Sequence, residues 1–377
     1  MEPIISFSII LFLMAVAIAV SSILKTSYVI GYIAAGLFYG LYFHFNRGAI
    51  DFVFETAILL LFFFLGLEFS IHKIKPIFTG IIGVSLMDFL LNFSTGFITG
   101  YILTGDFFHS ILMGAIFYPS SSIIITKLME LRHRFSNLEA PVIIGTLIFE
   151  DIAMIILIGL IMSFGPQVIF KFLLIIAALI LTFLMNIKLR PLLKKLIEKI
   201  ENYPVEVKTI SFLFLIFSLS AIFKSMEITS SLGAFLVGAL FADVSERSFE
   251  ESLGNLKDIF LALFFFFFGY ELSHVHLSLD LLFPALVIFI LSVLSKVGVF
   301  YFSGFKRKTR IRAGLTMVPR GEFSILLAHY IKVPEVKSII LMFIVLNIFL
   351  GTFIADNASR ISKLLDRILS GIPKIRR

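Results

Sequence analysis

Apolar runs about twenty residues long follow one another along almost the whole chain, separated by short polar or charged connections. A helix of that length crosses a hydrocarbon core ~30 Å thick. The pattern predicts thirteen such segments, at about 4–24, 28–44, 51–71, 76–103, 107–129, 139–163, 167–189, 205–225, 228–243, 256–273, 279–304, 309–332 and 334–356. The fold class that follows is an all-α, polytopic membrane protein with thirteen transmembrane helices. Composition agrees: 59% of the 377 residues are hydrophobic, 15% are charged, and the mean hydropathy is +1.04. That leaves almost no room for a soluble domain. The first segment has neither a basic leader nor a small-residue cleavage site, so it reads as a span and not a signal peptide. With no cysteine in the chain, disulfides, thiolate metal sites and thiol redox sensing are excluded.

Charge orients the segments. Of the 32 Lys and Arg, 25 fall in connections on one side, five fall on the other, and Lys296 and Arg320 lie inside segments. Basic connections stay in the cytoplasm. The N-terminus is therefore expected outside and the C-terminus in the cytoplasm, in a cell membrane. The +7 net charge needs no nucleic acid to explain it. The basic tail, 357–377, reads first as an ordinary positive-inside flank, and second as an amphipathic helix on an anionic leaflet.

Phrases recur along the chain in register. "LFFFLGLEFS" (61–70) matches "FFFFFGYELS" (264–273), "IGYIAAG" (30–36) matches "LGAFLVG" (232–238), and "GAIFYP" (114–119) matches "GLTMVP" (314–319). These join segments 2, 3 and 5 to segments 9, 10 and 12. Each step is seven segments, an odd number, so the two copies face opposite ways. The domain reading is a membrane transport domain, 1–356, with inverted repeats at about 1–163 and 205–356, a linking helix at 167–189 and a basic tail at 357–377. No soluble regulatory domain is expected. Inverted repeats characterise secondary transporters, which bind substrate near the midplane between discontinuous helices. Segments 5 and 12 are the expected broken pair. Pro119 and Pro319 each remove a backbone donor mid-segment, beside the polar runs "YPSSS" and "PRGE".

Six charges sit at membrane depth. Glu150 and Asp151 lie mid-span in "GTLIFEDIA", and one midplane carboxylate costs roughly 2.5–3.5 kcal/mol on the lenient insertion scale. Adjacent helical residues point about 100° apart, so one acid can face a cavity while the other meets a partner helix. Lys296 is the expected partner. Arg320 and Glu322 flank the break in segment 12 and read as compensation for half-helix ends. Asp88 is a further buried acid, either structural or on the ion path. Glu68 and Glu271, the repeated glutamates, read as structural. The seven histidines lie mostly near connections, with His329 the deep exception, and show no metal-ligand spacing. No hydrolase, kinase or dinucleotide motif is present, so no enzyme activity and no cofactor are expected.

These phrases, together with "SSSIIITKLME", "SLGAFLVGALFAD", Lys296 and "RGEF", resemble the monovalent cation:proton antiporter-2 family, which includes Kef-type and NapA-type exchangers of the NhaA fold. The resemblance implies a homodimeric antiporter with a dimerisation domain and a mobile core that moves as an elevator. It places the ion-binding aspartate at Asp151 and the residue before it at Glu150. Lys296 is then the lysine that pairs with that preceding residue, and Ser121 and Ser122 the polar pair at the break. Asp151 would hold the transported Na⁺ or proton, with K⁺ as the alternative ion. A glutamate before the aspartate departs from the Asp, Asn or Gln of relatives. If a cation displaces Lys296 from Glu150, the lysine can release a second proton; if the pair stays closed, exchange is one for one. An organic-anion/sodium symporter on a related inverted-repeat fold and a channel are the competing classes. The symporter does not need the Glu-Asp and Lys constellation, and the inverted repeat and paired breaks argue against the channel.

Overall fold

The computed structural model describes residues 3–24, 28–43, 47–68, 81–162, 190–200, 202–225, 230–242, 244, 246–273, 279–328 and 330–370, with scattered positions between 177 and 188. The helices are α1 (Pro3–Leu24), α2 (Tyr28–Tyr42), α3 (Arg47–Glu68), α4 (Ile82–Thr104), α5 (Phe107–Phe117), α6 (Ser122–Leu131), α7 (Ala140–Met162) and α8 (Val205–Ser225). They continue as α9 (Ser230–Phe241), α10 (Glu246–Ser273), α11 (Leu279–Val299), α12 (Arg307–Thr316), α13 (Glu322–Ala328), α14 (Pro334–Leu346), α15 (Thr352–Asp356) and α16 (Ala358–Ser370). A single antiparallel bridge, Ser120 to Arg320, is the only non-helical pairing among the described residues.

Seven described spans, counted by length and composition, are apolar enough to cross a membrane, and four shorter helices are apolar. The expected count of thirteen is therefore not reproduced. Segments 5 and 12 are each two half-helices, α5/α6 and α12/α13, so neither forms one continuous span. Most of the linking segment, 167–189, lies outside the described residues, as do His329 and 371–377. Helix α10 starts ten residues before segment 10, with "ERSFEESLGN" carrying the helix out past the apolar run. The last long span is interrupted by a π-helical turn, Asn347–Gly351.

The chain divides into two compact units. The first comprises Met1–Pro76 and Ile155–His274. In it α2 packs along α10, and α3 along α9. The recurring glycines are the crossing points. A Cβ on Gly36 would lie 1.8 Å from the Phe266 carbonyl oxygen, and one on Gly269 would lie 2.1 Å from that of Ile33. The second pair repeats the arrangement: a Cβ on Gly66 would lie 2.2 Å from the Phe235 carbonyl, and one on Gly238 would lie 2.0 Å from that of Phe63. Glycine is required because helix backbones touch there, and small residues permit that approach in membranes. The phenylalanine run 264–268 is wholly buried, so these rings do not face lipid. Around Tyr39, Phe266 and Phe267 of this run form one apolar cluster with Ile10, Met14 and Tyr270.

The second unit comprises Ile77–Met154 and Val275–Arg377. Its core gathers Ile125, Met129, Ile143 and Leu147 with Val299, Phe300, Ala313 and Met317. Helix α12 approaches α11 closely at Gly314, where a Cβ would meet the Val297 Cα at 2.5 Å. This contact fixes the end of α12 one residue from Lys296. Helix α5 begins at an Asp106 N-cap, whose carboxylate accepts from the His109 N–H at 2.8 Å.

Candidate functional site

Two broken helices meet in the second unit. Helix α5 ends at Phe117 and α6 begins at Ser122, so residues 118–121 cross the gap; 317–321 do the same between α12 and α13. The two connections pair as a one-rung antiparallel ladder. Ser120 bridges Arg320, and the Ser121 N–H donates to the Pro319 carbonyl at 2.8 Å. Proline at each break ends the preceding helix and frees backbone groups that then need partners. Side chains supply several. The Ser121 hydroxyl caps α6 by accepting from the Ile124 N–H at 3.3 Å. Ser324 Oγ donates to the Ile116 carbonyl at 2.8 Å, near the end of α5.

Buried charges surround this crossing. Lys296 Nζ, with its side chain fully buried, donates to Asp88 Oδ1 at 2.8 Å, Asp88 Oδ2 at 3.0 Å and Glu150 Oε1 at 2.7 Å. An ammonium has three donors, so two carboxylates take up its full capacity. Glu150 Oε2 accepts from the Ser120 N–H at 2.5 Å, so this acid also ties down freed backbone of the break. The Ser120 hydroxyl lies 3.1 Å from Glu150 Oε1 and 2.9 Å from the Met317 carbonyl, and its single proton can serve only one. Asn92, one helical turn from Asp88, donates to Asp88 Oδ1 at 2.9 Å. Its carbonyl accepts from Ser295 Oγ at 2.8 Å and from Arg320 Nη2 at 3.3 Å.

Arg320 is also fully enclosed, 1% exposed. It donates to the Tyr118 carbonyl and to the Ser292 carbonyl, each at 3.3 Å. Tyr118 is the C-cap of α5, so the guanidinium sits at the negative end of a half-helix. Asp88, Glu150, Lys296 and Arg320 together hold two negative and two positive formal charges. Such a balanced cluster can exist at 0–1% exposure where a lone charge could not.

The sequence singled out most of these groups, but not all of their contacts. Lys296 does meet Glu150, and it also meets Asp88, which the sequence left without a partner. Asp151 follows Glu150 on α7, about 100° further round the helix, and is half-buried. Ser122 is half-buried at the first turn of α6. Glu322 opens α13, and its side chain lies outside the described residues, as do those of Glu68 and Glu271. Ser120, Asn92, Ser292 and Ser295 were missed. A signal for Asn92 did exist: Ser85, Asp88, Asn92, Gly96 and Thr99 are buried at helical spacing along one face of α4. Ser120 carried no such signal, because helical phase is lost at the break. Among the described residues no three His, Asp or Glu side chains cluster as a metal site.

A model described as "Sodium/hydrogen exchanger, transmembrane" matches residues 9–356. The chain belongs to this family. It is similar to the K(+)/H(+) antiporter subunit KhtU of Bacillus subtilis, 28% identical over 86% of this chain and 84% of that one. The Ammonium/H(+) antiporter subunit AmhT of Alkalihalophilus pseudofirmus is 26% identical over 82% and 81%. The probable Na(+)/H(+) antiporter GerT of Bacillus cereus is 25% identical over 74% and 76%. Among solved structures, the sodium proton antiporter MjNhaP1 of Methanocaldococcus jannaschii superposes with a TM-score of 0.67 at 16% identity, over 96% of this chain and 99% of that one. The likeness carries the fold of that antiporter. A multi-pass membrane protein with cation/proton antiport as its function follows from family and fold together.

Proposed function

We propose that this antiporter exchanges a monovalent cation for protons by alternating access, with Asp151 as the shared carrier. The observation that carries the reading is the crossing of two broken helices in one unit with a buried Glu150–Lys296–Asp88 cluster against it. One carboxylate that holds either a cation or a proton cannot hold both, so each exit trip must follow an exchange. Ser121, Ser122 and backbone carbonyls freed at the break supply hard oxygen ligands suited to an alkali ion. Glu150 and Lys296 form the balancing pair. Asp88 leaves Lys296 with a counter-charge when Glu150 is drawn towards a cation.

The paired glycine crossings of α2 with α10 and α3 with α9 support the inverted-repeat reading, since the repeat exchanges one pair for the other. Thirteen spans in two inverted repeats, an elevator-like movement of the unit holding the crossing, and a homodimer at the cell membrane with its C-terminus inside complete the proposal. The transport domain is 1–356. Sodium is the ion we favour from the sequence resemblance. Potassium is the second reading, supported by the ions in the names of KhtU and AmhT, which are close in size. Liposomes containing the purified chain and a pH dye, challenged with Na⁺, K⁺ or Li⁺, test both. Cation-driven proton movement is expected, and Asp151→Asn abolishes it without unfolding the protein. Exchange by that variant at the normal rate would remove Asp151 from this role.

A further inference from the structure

The last apolar span ends at Asp356, and α16 begins two residues later. Between them lies a cleft of about 260 Å³ lined by Arg132, Arg134, Asp356, Asn357, Ser359 and Arg360. Two of its three arginines build its walls. Arg132 grips Asp356 through two bonds of 2.6 Å, and Arg134 donates to the Ala355 carbonyl at 2.7 Å and to the Asp356 carbonyl. Arg360 is exposed on the first turn of α16. One carboxylate against three guanidiniums leaves the lining formally at +2. That is the complement of a phosphate.

Helix α16 extends this charge along a second surface. Ala358, Ile361 and Leu365 pack inward against Ile311 and Leu315 of α12, and Arg307 pairs with Asp366 at 3.0 Å. The outward face, at i, i+3, i+4, i+7 and i+8, carries Arg360, Lys363, Leu364, Arg367 and Ile368, all exposed. Leu364 is 59% exposed and Ile368 is 55% exposed. Two large aliphatic side chains ringed by three cations are wasted on a soluble anion. They suit a ligand with an anionic head and an apolar body. Phe353, 64% exposed on the final turn of the span, continues the apolar surface towards the membrane.

We infer that the outer face of α16 and the arginine cleft at its start form a binding site for an anionic phospholipid. The phosphate lies at Arg360 and Arg132, and the acyl chains lie against Leu364 and Ile368. The membrane placement of the chain is the only premise shared with the transport reading. The site is also coupled to the crossing: α16 packs on α12 at Ile311 and Leu315, and α12 ends one turn before the break at Pro319.

Native mass spectrometry of the full chain in neutral detergent, titrated with phosphatidylglycerol or phosphatidylcholine, tests the site without transport. Selective retention of phosphatidylglycerol is expected. The variant R360Q/K363Q/R367Q changes only exposed residues and should bind it about 100-fold more weakly, about fivefold per cation removed. L364N/I368N should also lose retention, while both variants keep the wild-type circular dichroism. Equal retention by wild type and the triple variant would overturn the inference. So would competition by millimolar inorganic phosphate or glycerol phosphate, which would assign the cleft to a soluble anion. Exchange in vesicles with 40% phosphatidylglycerol should exceed that in pure phosphatidylcholine for the wild type and match it for the triple variant; equal rates for the wild type would leave α16 without influence on the break.

Discussion

The glycine crossings of the first unit and the proline crossing of the second are two solutions to bringing helices together in lipid. At Gly36, Gly66, Gly238 and Gly269 the side chain is removed and the helices stay whole. At Pro119 and Pro319 the helices are cut, and the freed backbone must be satisfied by Ser120, Ser121, Glu150 and Arg320. The first solution frees no backbone and needs no charge to satisfy it. The second recruits charge to replace lost hydrogen bonds, and that charge becomes available for chemistry. Close packing and buried charge are thus divided between two kinds of crossing.

The comparison can be broken most severely at Lys296. Lys296→Ala leaves Asp88 and Glu150 buried without their cation, a loss of about 3–5 kcal/mol by analogy with broken buried pairs. Thermal melts should show it, and exchange should fall with it. Full activity and stability would dismiss the pair as a working element. Asp88→Asn should cost less, because Glu150 still holds the lysine. Liposomes clamped at set potentials then report whether Lys296 releases a proton: wild-type exchange that ignores the potential means one-for-one transport.

The glycine crossings should be less costly to disturb. Gly36→Ala adds a methyl 1.8 Å from a carbonyl oxygen that belongs to a helix backbone. The helices must part, at about 1–3 kcal/mol for overpacking. Gly83→Ala is the control, since nothing lies within 4 Å of its Cβ position. A melt of Gly36→Ala no lower than that of Gly83→Ala would mean that α2 and α10 do not touch there.

Smaller effects lie at the caps. Ser121→Ala removes the α6 N-cap, a loss of about 1 kcal/mol, and should raise the apparent KM for the cation more than it lowers the maximal rate. An unchanged cation dependence would leave Ser121 a cap alone. Smallest is Asp106→Ala at the start of α5. The His109 N–H and then its ring hold the exposed Asp106 carboxyl below its ordinary range. A depressed carboxyl contributes stability above its ordinary value, about 4, and loses it as pH falls through the lowered one. The difference in melting temperature between wild type and variant should therefore shrink on acidification below about pH 4. A constant difference would rule the charge out.

Much of this was legible because the membrane permits few arrangements. A twenty-residue apolar run has almost no alternative to a helix, and a mid-span charge such as Lys296 has almost no alternative to a partner. The recurring phrases hold the glycines at which helices cross, although in the sequence they marked only a repeat. Legibility failed where helical phase failed. Three consecutive serines, Ser120 to Ser122, follow Pro119, and only the course of the broken backbone decides that Ser120 faces Glu150 while Ser121 caps α6. The start of α10 was missed for the opposite reason: residues 246–255 are helical without the continuous apolar run that marks a span.

The bridge between Ser120 and Arg320 joins positions 200 apart, the same offset that relates Gly114 to Gly314 and Pro119 to Pro319. On the inverted-repeat reading proposed above, each is the other's counterpart, and the bridge sits where a duplicated phrase meets itself. A frame written twice without change would set like against like at that point: two serines with no cation, or two arginines that repel. A small hydroxyl now faces a guanidinium. On that reading, this is the place where the two copies had to become different, and their divergence gives the crossing one polarised centre.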